Sequence, residues 1–244
     1  MRQLALVPAG SHANNCGAIA NSHMFAWCSR FAIYVADLDA YLLRHIIAEH
    51  SEPITCIDWS SHQPRYLVSA SADHSVRVWD VQHEVTVFTL LLDSIPLFVQ
   101  WCRGSADTIA IASANGTVRF WHPTTSKSLV SRDFGFSPVK VLRWSLKVAS
   151  LLAAGHEDCS ISIYNTADQA SHRIKCFDSK FGGHTGGVVD LQWDPLSDNY
   201  LIAAFGSGQI ALFDARKKEH VRSFDKSPGG CRCLEWLPTA LIEP

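Results

Sequence analysis

Short apolar runs punctuate the chain at regular intervals, and most of them alternate apolar with polar residues at a period of two. Five close on tryptophan: ITCIDW, LFVQW, VKVLRW, VVDLQW and CRCLEW end at Trp59, Trp101, Trp144, Trp193 and Trp236, spaced 42, 43, 49 and 43 residues apart. About twenty residues after each of the first four comes a second aromatic. SVRVW, TVRFW, SISIY and QIALF end at Trp79, Trp121, Tyr164 and Phe213. Period-two alternation marks half-buried strands, and a repeat near 43 residues holding several such strands predicts one four-stranded sheet per repeat. Trp27 is the one tryptophan outside both series. Tyr41–His50 (YLLRHIIAEH) and Leu146–Gly155 (LKVASLLAAG) also suit a helix. The repeat register assigns the first to an outer strand and the second to a second strand.

The second repeat carries the fullest pattern. It reads His50, then ITCIDW, then YLVSASADHSVRVWD, ending at Trp79-Asp80. This resembles the WD-repeat (WD40) family. The resemblance implies an all-β WD40 β-propeller of about five blades plus the first strand of a sixth, in one region, 1–244. The blades fall at about 13–48, 49–90, 91–131, 132–178 and 179–226, with a further one starting over 227–244. It also implies a hydrogen-bonded structural tetrad: His50 before the inner strand, Ser69 on the second, Asp73 in the next turn and Trp79 on the third. A buried Asp must be compensated, and His and Trp N–H groups with a hydroxyl supply the donors. Each such bond contributes about 1 kcal/mol net, and an unpaired Asp costs more than that.

The remaining repeats keep the scaffold and lose the tetrad. The fifth has Gly183-His184 and Phe213-Asp214, with Ser207 at the turn and Ala203 on the second strand. The third keeps Trp121, with Asn115 for the Asp and Ile111 for the hydroxyl. The fourth keeps Asp158, with Tyr164-Asn165 for Trp-Asp and Ala154 for the Ser. Residues 15–48 read as a degenerate first blade. FAWCSRFAIYVADLD, EHSEPITCIDWSSHQP, WDPLSDNYLI and CRCLEWLP together resemble the N-terminal part of a longer family member with many more repeats. The parsed blades do not close a ring, and QLALVP near the N-terminus reads as a closing outer strand for a blade not supplied. The chain is therefore expected to be a piece of a longer protein. A strained five-bladed ring, or self-association through open edges, is the alternative. The 49-residue interval places an insertion around Asn165–Gly183, rich in polar residues (TADQASHR).

Composition narrows the function. Twenty-one Lys and Arg against 23 Asp and Glu give a net charge of −2, which disfavours a dedicated nucleic-acid or anionic-membrane surface. Hydrophobic residues make up 47% and charged ones 18%, which excludes disorder and favours an extensive core. The longest apolar stretch, Val87–Trp101, is broken by Asp93 and Pro96, and no membrane partner is expected. MRQLALVPAG is too short in its apolar part for a secretory signal, and an intracellular, cytoplasmic rather than nuclear, location is expected. Eight cysteines are too dilute for a disulfide scaffold. Six stand singly, and the Cys231-x-Cys233 pair lacks the second pair of a structural zinc site. Buried inert thiols, no metal and no cofactor are expected.

Sequence motifs for catalysis dissolve on inspection. GGHTGG (Gly182–Gly187) lacks the Gly-Lys-Ser/Thr of a phosphate loop, and Gly206–Ala211 leads into a strand as a hairpin turn. Asn115-Gly116-Thr117 is a turn signal. His50, Asp73 and Ser69 are triad residue types, but in the repeat the Ser is buried with its hydroxyl serving the Asp, so no nucleophile is presented. Glu157 and Asp158 are neighbours that do not face one another. No catalytic residue is assigned. The expected function is a non-catalytic scaffold for protein–protein interaction. By family analogy its partner-facing loops carry Ser51, Pro53, His74 and Thr185. The alternative is an acidic or nucleic-acid partner on the cluster Arg216, Lys217, Lys218, His220 and Arg222, whose default role is solvated charge near an edge strand. A propeller enzyme with catalytic loops is the remote third.

Overall fold

The computed structural model describes residues 17–20, 23–125, 127–133, 137–176, 183 and 185–236. They form twenty strands and no helix, and the repeat register thus overrides the local helical spacing at both ambiguous stretches. The strands make five antiparallel four-stranded meanders. The first is β1 (Gly17–Ala20), β2 (Met24–Ser29), β3 (Ala32–Asp37) and β4 (Leu42–Ile47); the second is β5 (Ile54–Trp59), β6 (Tyr66–Ser71), β7 (Ser75–Asp80) and β8 (Val85–Leu91). The third is β9 (Pro96–Trp101), β10 (Ile109–Ser113), β11 (Thr117–His122) and β12 (Lys127–Asp133). The fourth is β13 (Val139–Trp144), β14 (Leu151–His156), β15 (Ser160–Asn165) and β16 (Ser171–Lys175); the fifth is β17 (Val188–Trp193), β18 (Tyr200–Phe205), β19 (Ile210–Asp214) and β20 (Glu219–Phe224). Two compact units, Met1–Arg132 and Asp133–Pro244, divide the chain. QLALVP lies outside the described residues.

Burial explains the two aromatic series. Trp59, Trp101, Trp144 and Trp193 close inner strands, and Trp79, Trp121, Tyr164 and Phe213 close or nearly close third strands; all eight are buried. Each contributes roughly 1.5–3 kcal/mol or more of burial free energy. The outer strands are different: Leu42, Leu43 and Ile46 on β4, Val85, Val87 and Leu91 on β8, and Val221 and Phe224 on β20 are exposed.

Two kinds of turn recur, and each has a side-chain cap. Between second and third strands of sheets two to five, the N–H groups of His74, Gly116, Cys159 and Gly208 donate to the carbonyls of Ser71, Ser113, His156 and Phe205, at 3.2, 3.0, 3.3 and 2.8 Å. Those four donors have φ of 66°, 84°, 62° and 87°, the left-handed region open to glycine but strained for His74 and Cys159. The residue before them, Asp73, Asn115 or Asp158, accepts both the N–H and the hydroxyl of Ser75, Thr117 or Ser160. This is the local bonding that makes Asx residues turn formers. Between third and fourth strands, the Oδ1 atoms of Asp37, Asp80, Asn165 and Asp214 accept backbone N–H groups two or three residues ahead. The residue four positions on (Tyr41, Glu84, Gln169 or Lys218) again has positive φ, 53° to 61°.

Sheets within each unit are laced through their inner strands. In the first unit the Ile54 N–H reaches Arg30 O at 2.6 Å, Thr55 Oγ1 donates to Pro96 O at 2.7 Å, and the Trp101 N–H donates to Asp58 Oδ2 at 2.7 Å. In the second, the Arg143 guanidinium pairs with the buried Asp190 carboxylate at 2.7 Å, and the Trp193 indole donates to Arg143 O at 2.9 Å. Gly155 permits this approach: a Cβ there would meet Val188 Cγ1 at 2.5 Å.

Two expectations change in detail. Residues 231–236 form no strand ladder. They lie beside β17 through the Leu234 N–H to Asp190 Oδ2 (3.0 Å) and Gln192 Nε2 to Leu234 O (3.2 Å). The polar run TADQASHR forms a capped turn and most of β16. Cys28, Cys56, Cys102, Cys159 and Cys176 are buried, but Cys231 is half-buried and Cys233 exposed, because no ladder covers that segment. Among the described residues no cluster of three or more His, Cys, Asp or Glu side chains could hold a metal ion. No helix among them is long and apolar enough to cross a membrane.

Candidate functional site

In the second sheet the His50, Ser69, Asp73 and Trp79 side chains meet in one chain of hydrogen bonds. His50 stands in the segment leading into β5, and its Nδ1 lies 2.8 Å from Asp73 Oδ2. Its Nε2 lies 2.7 Å from Ser69 Oγ, and the Trp79 indole N–H donates to the same Oγ at 2.7 Å. A carboxylate can only accept, so Nδ1 carries the proton. The Ser69 hydroxyl then donates to Nε2 while accepting from Trp79, and every polar atom of the chain is satisfied. The Arg77 guanidinium lies 5.8 Å from the Trp79 ring centre and bonds Glu49 at 3.1 Å.

The serine roles differ from expectation. Ser69 bridges the two rings and does not touch Asp73 in this chain. Ser75 serves the carboxylate instead, by hydroxyl at 2.6 Å and N–H at 2.9 Å. The reason is register. Ser69 pairs with Arg77 across β6–β7, which sets it deep among the rings, whereas Ser75 directly follows the turn. The recurrent Asp/Asn-x-Ser/Thr spacing in ADHS, ANGT and EDCS is the signal that points to Ser75, Thr117 and Ser160.

The electrostatics follow the bonding. Burial pushes the His50 pKa below 6.5, outweighing the pull of Asp73, so the ring is neutral near pH 7. Burial alone would raise the Asp73 carboxyl, but donors from Ser75 and His50 bring it down to about 2. Ser69 is fully buried, so the group holds no accessible nucleophile.

The fourth sheet builds a different network from residues the motif does not mark. His156, at the end of β14, is fully buried. Its Nδ1 lies 3.1 Å from Ser137 O and its Nε2 2.8 Å from Ser162 Oγ. Burial lowers its pKa as well. Asp158 accepts from Ser160 at 2.6 Å and pairs with Arg173. Glu157 points elsewhere, to Lys140 at 3.3 Å. Of the other repeat residues, Trp121 and Tyr164 are buried, Phe213 packs edge-on against His220 at 5.6 Å, and Asp214 caps its turn. Gly183 has φ 62°; His184 lies outside the described residues.

Ser51, Pro53, His74 and Thr185 are all exposed. In the first unit, the Ser51 N–H reaches Asp73 Oδ2 at 3.3 Å and the Ala72 N–H donates to Pro53 O at 2.9 Å. In the second, the Ser207 N–H donates to Thr185 O at 3.3 Å. The basic cluster does not gather into one free cationic face: Arg216 pairs with Asp198, His220 bonds Ser223, and Arg222 lies over the Phe224 ring. Lys217 and Lys218 are exposed in the turn.

Residues 42–80 match the family model described as WD domain, G-beta repeat. The architecture is that of WD40 repeats. Each four-stranded meander has the form of a WD40 propeller blade, and the match ends at the Trp79-Asp80 pair that closes β7. The chain is similar to WD repeat-containing protein AAC3 of Dictyostelium discoideum, 23% identical over 77% of this chain and 38% of that protein. It is similar to Autophagy-related protein 16 of Arabidopsis thaliana, 22% identical over 88% of this chain and 42% of that one. The DDB1- and CUL4-associated factor 7 homolog of Dictyostelium discoideum is 22% identical over 71% of the chain and 53% of its own length. The chain thus spans about half or less of these curated relatives.

Proposed function

We propose that the protein is a non-catalytic scaffold that binds other proteins through the loops leading into its inner strands and the turns between second and third strands. The observation that carries this reading is the coupling of exposed loop to buried network. Asp73 holds His50 from within and the Ser51 N–H from the lead-in segment, while Pro53 and Ala72 join the two loops by backbone. Loops fixed on a rigid scaffold are where binding residues concentrate, and fixing them beforehand lowers the entropy lost on association. Ser51, Pro53 and His74 form the partner-facing set of the first unit, and Thr185 that of the second. A relative named for association with other proteins supports the reading.

The test is a quantitative pull-down with wild type, His74→Glu and Thr185→Glu, all checked for unchanged melting. Loss of the same captured proteins from either variant supports the site. An unchanged set from both moves the site off these loops.

A further inference from the structure

Among the described residues, the outer strands β4, β8, β12, β16 and β20 each end the order of their sheet and have no strand beyond them. Unpaired N–H and C=O groups along such an edge are a template for another strand, and proteins blunt them with charged side chains. Four of the five follow that rule. β4 carries Arg44, β12 Lys127 and Arg132, β16 Arg173 and Lys175, and β20 Arg222. β8 does not. Its sequence is VTVFTLL, seven residues with no charge and no proline, the composition that favours strand addition.

β8 also turns apolar side chains to solvent. Val85, Val87 and Leu91 are exposed, the last by 74%, and so is Thr89 between them. The register shows which backbone groups are spare. The Leu92 N–H is spent on His74 O at 2.9 Å. From there the ladder to β7 pairs Leu91 with Ser75, Leu90 with Val76, Thr89 with Arg77 and Phe88 with Val78. Antiparallel bonding alternates along a strand, so Leu90 and Phe88 bond inward, and the N–H and C=O groups of Leu91 and Thr89 face the open edge. The ladder breaks register once, at Val87. The flanking acids, Glu84 and Asp93, lie outside the strand and pair with His45 and Arg119.

We propose that β8 is a self-association edge, at which two copies of this chain pair their β8 strands antiparallel about a two-fold axis through Thr89. This register sets Thr89 opposite its own copy, Phe88 opposite Leu90 and Val87 opposite Leu91. Threonine pairs and aromatic–aliphatic pairs across a ladder are stabilising, and like charges directly opposite are destabilising. The charge pattern therefore selects a second copy as the occupant. Self-pairing of β8 opposes no charge to any other, whereas self-pairing of β4, β12, β16 or β20 draws like cations together across the edge. A two-fold contact uses both edges and stops at the dimer. One strand edge is a small contact, so the dimer is expected to depend on concentration. The contact runs along the outer edge of the second sheet rather than through its loop ends, and it stands independently of the scaffold reading.

The experiment is sedimentation velocity of the full 244-residue chain over a micromolar concentration series, beside Thr89→Lys and Thr89→Glu. The wild type is expected to show a reversible monomer–dimer equilibrium. Either variant, which brings like charges face to face at the axis, is expected to self-associate roughly tenfold more weakly, with melting of the dilute chain unchanged. An equimolar mixture of the two variants sets Lys opposite Glu and restores the dimer. Val221→Lys, an equivalent change on exposed β20, leaves wild-type association intact. A dimer that persists in both variants, or a mixture that associates no better than either variant alone, overturns the proposal. So does a wild type that stays monomeric throughout, which would leave the edge to an extended apolar segment of another protein.

Discussion

The second and fourth sheets solve one problem in two ways. Each buries a neutral histidine whose two nitrogens are both bonded, yet the histidines come from different places. In the second sheet His50 arrives from the lead-in segment and reaches inward to Ser69; in the fourth, His156 comes from the second strand and reaches outward to the Ser137 carbonyl. The flanking serines trade places too. Ser71 of β6 bonds the lead-in carbonyl of Glu52 and caps the Asp73 N–H, whereas in the fourth sheet Ser137 of the lead-in caps the Asp158 N–H. What is kept is satisfaction of a buried ring and a capped turn, and the residue that supplies each bond is free to move. The difference is that Asp73 is shielded, with 8% of its side chain exposed, while Asp158 has 39% exposed.

The comparison can be broken most forcefully at the tryptophan. Trp79→Ala should cost about 3–5 kcal/mol in urea unfolding, because it removes a fully buried indole and strands Ser69. If it melts like wild type, the network in the second sheet contributes nothing. Next comes the carboxylate pair: Asp73→Ala should cost about 3 kcal/mol by leaving a buried His50 donor without its acceptor. Asp158→Ala in the fourth sheet should cost at most about 1 kcal/mol, since its ion pair is solvent-screened. Equal losses would remove the distinction between the sheets.

Acidity sharpens it further. His50 and His156 have native pKa values below 6.5, so below that pH the unfolded chain binds protons that the native state refuses. Stability should then fall as pH drops through 6.5, and rise with pH up to that point. Asp73, held at about 2 against an ordinary 3.8, adds a second loss as pH falls from about 3.8 toward 2. Urea midpoints measured from pH 8 to pH 4 should show the first slope, and it should flatten in His50→Gln/His156→Gln. Ser162→Ala should cost about 1 kcal/mol or slightly more in the same urea measurement, from one unmet nitrogen on His156.

Much of this was readable in the chain because it is periodic. Tryptophans 42 to 49 residues apart located every inner strand of sheets two to five, and His50, Asp73 and Trp79 stood in a recognisable order. His156 carried no such sign. Its partners lie 19 residues before it and 6 after it, and only the fold of the lead-in segment against β14 and β15 brings them together. Ser75 lay in plain view in ADHS, but the pattern becomes meaningful only when laid beside ANGT and EDCS. A cavity lined by Leu151, Ile163, Ala170 and Ala215 was illegible for a stronger reason: its walls come from strands and turns of two sheets, and no spacing within either one records their meeting.

The capped third-to-fourth turns have a consequence for how such sheets can change. Because Asp37, Asp80, Asn165 and Asp214 anchor the outer hairpins of sheets one, two, four and five through main-chain amides, the peripheral strand there is tethered independently of which side chains it displays. Its exposed alternate positions are thus open to substitution without disturbing the interior, and new recognition chemistry can be written there while the ladder beneath stays the same.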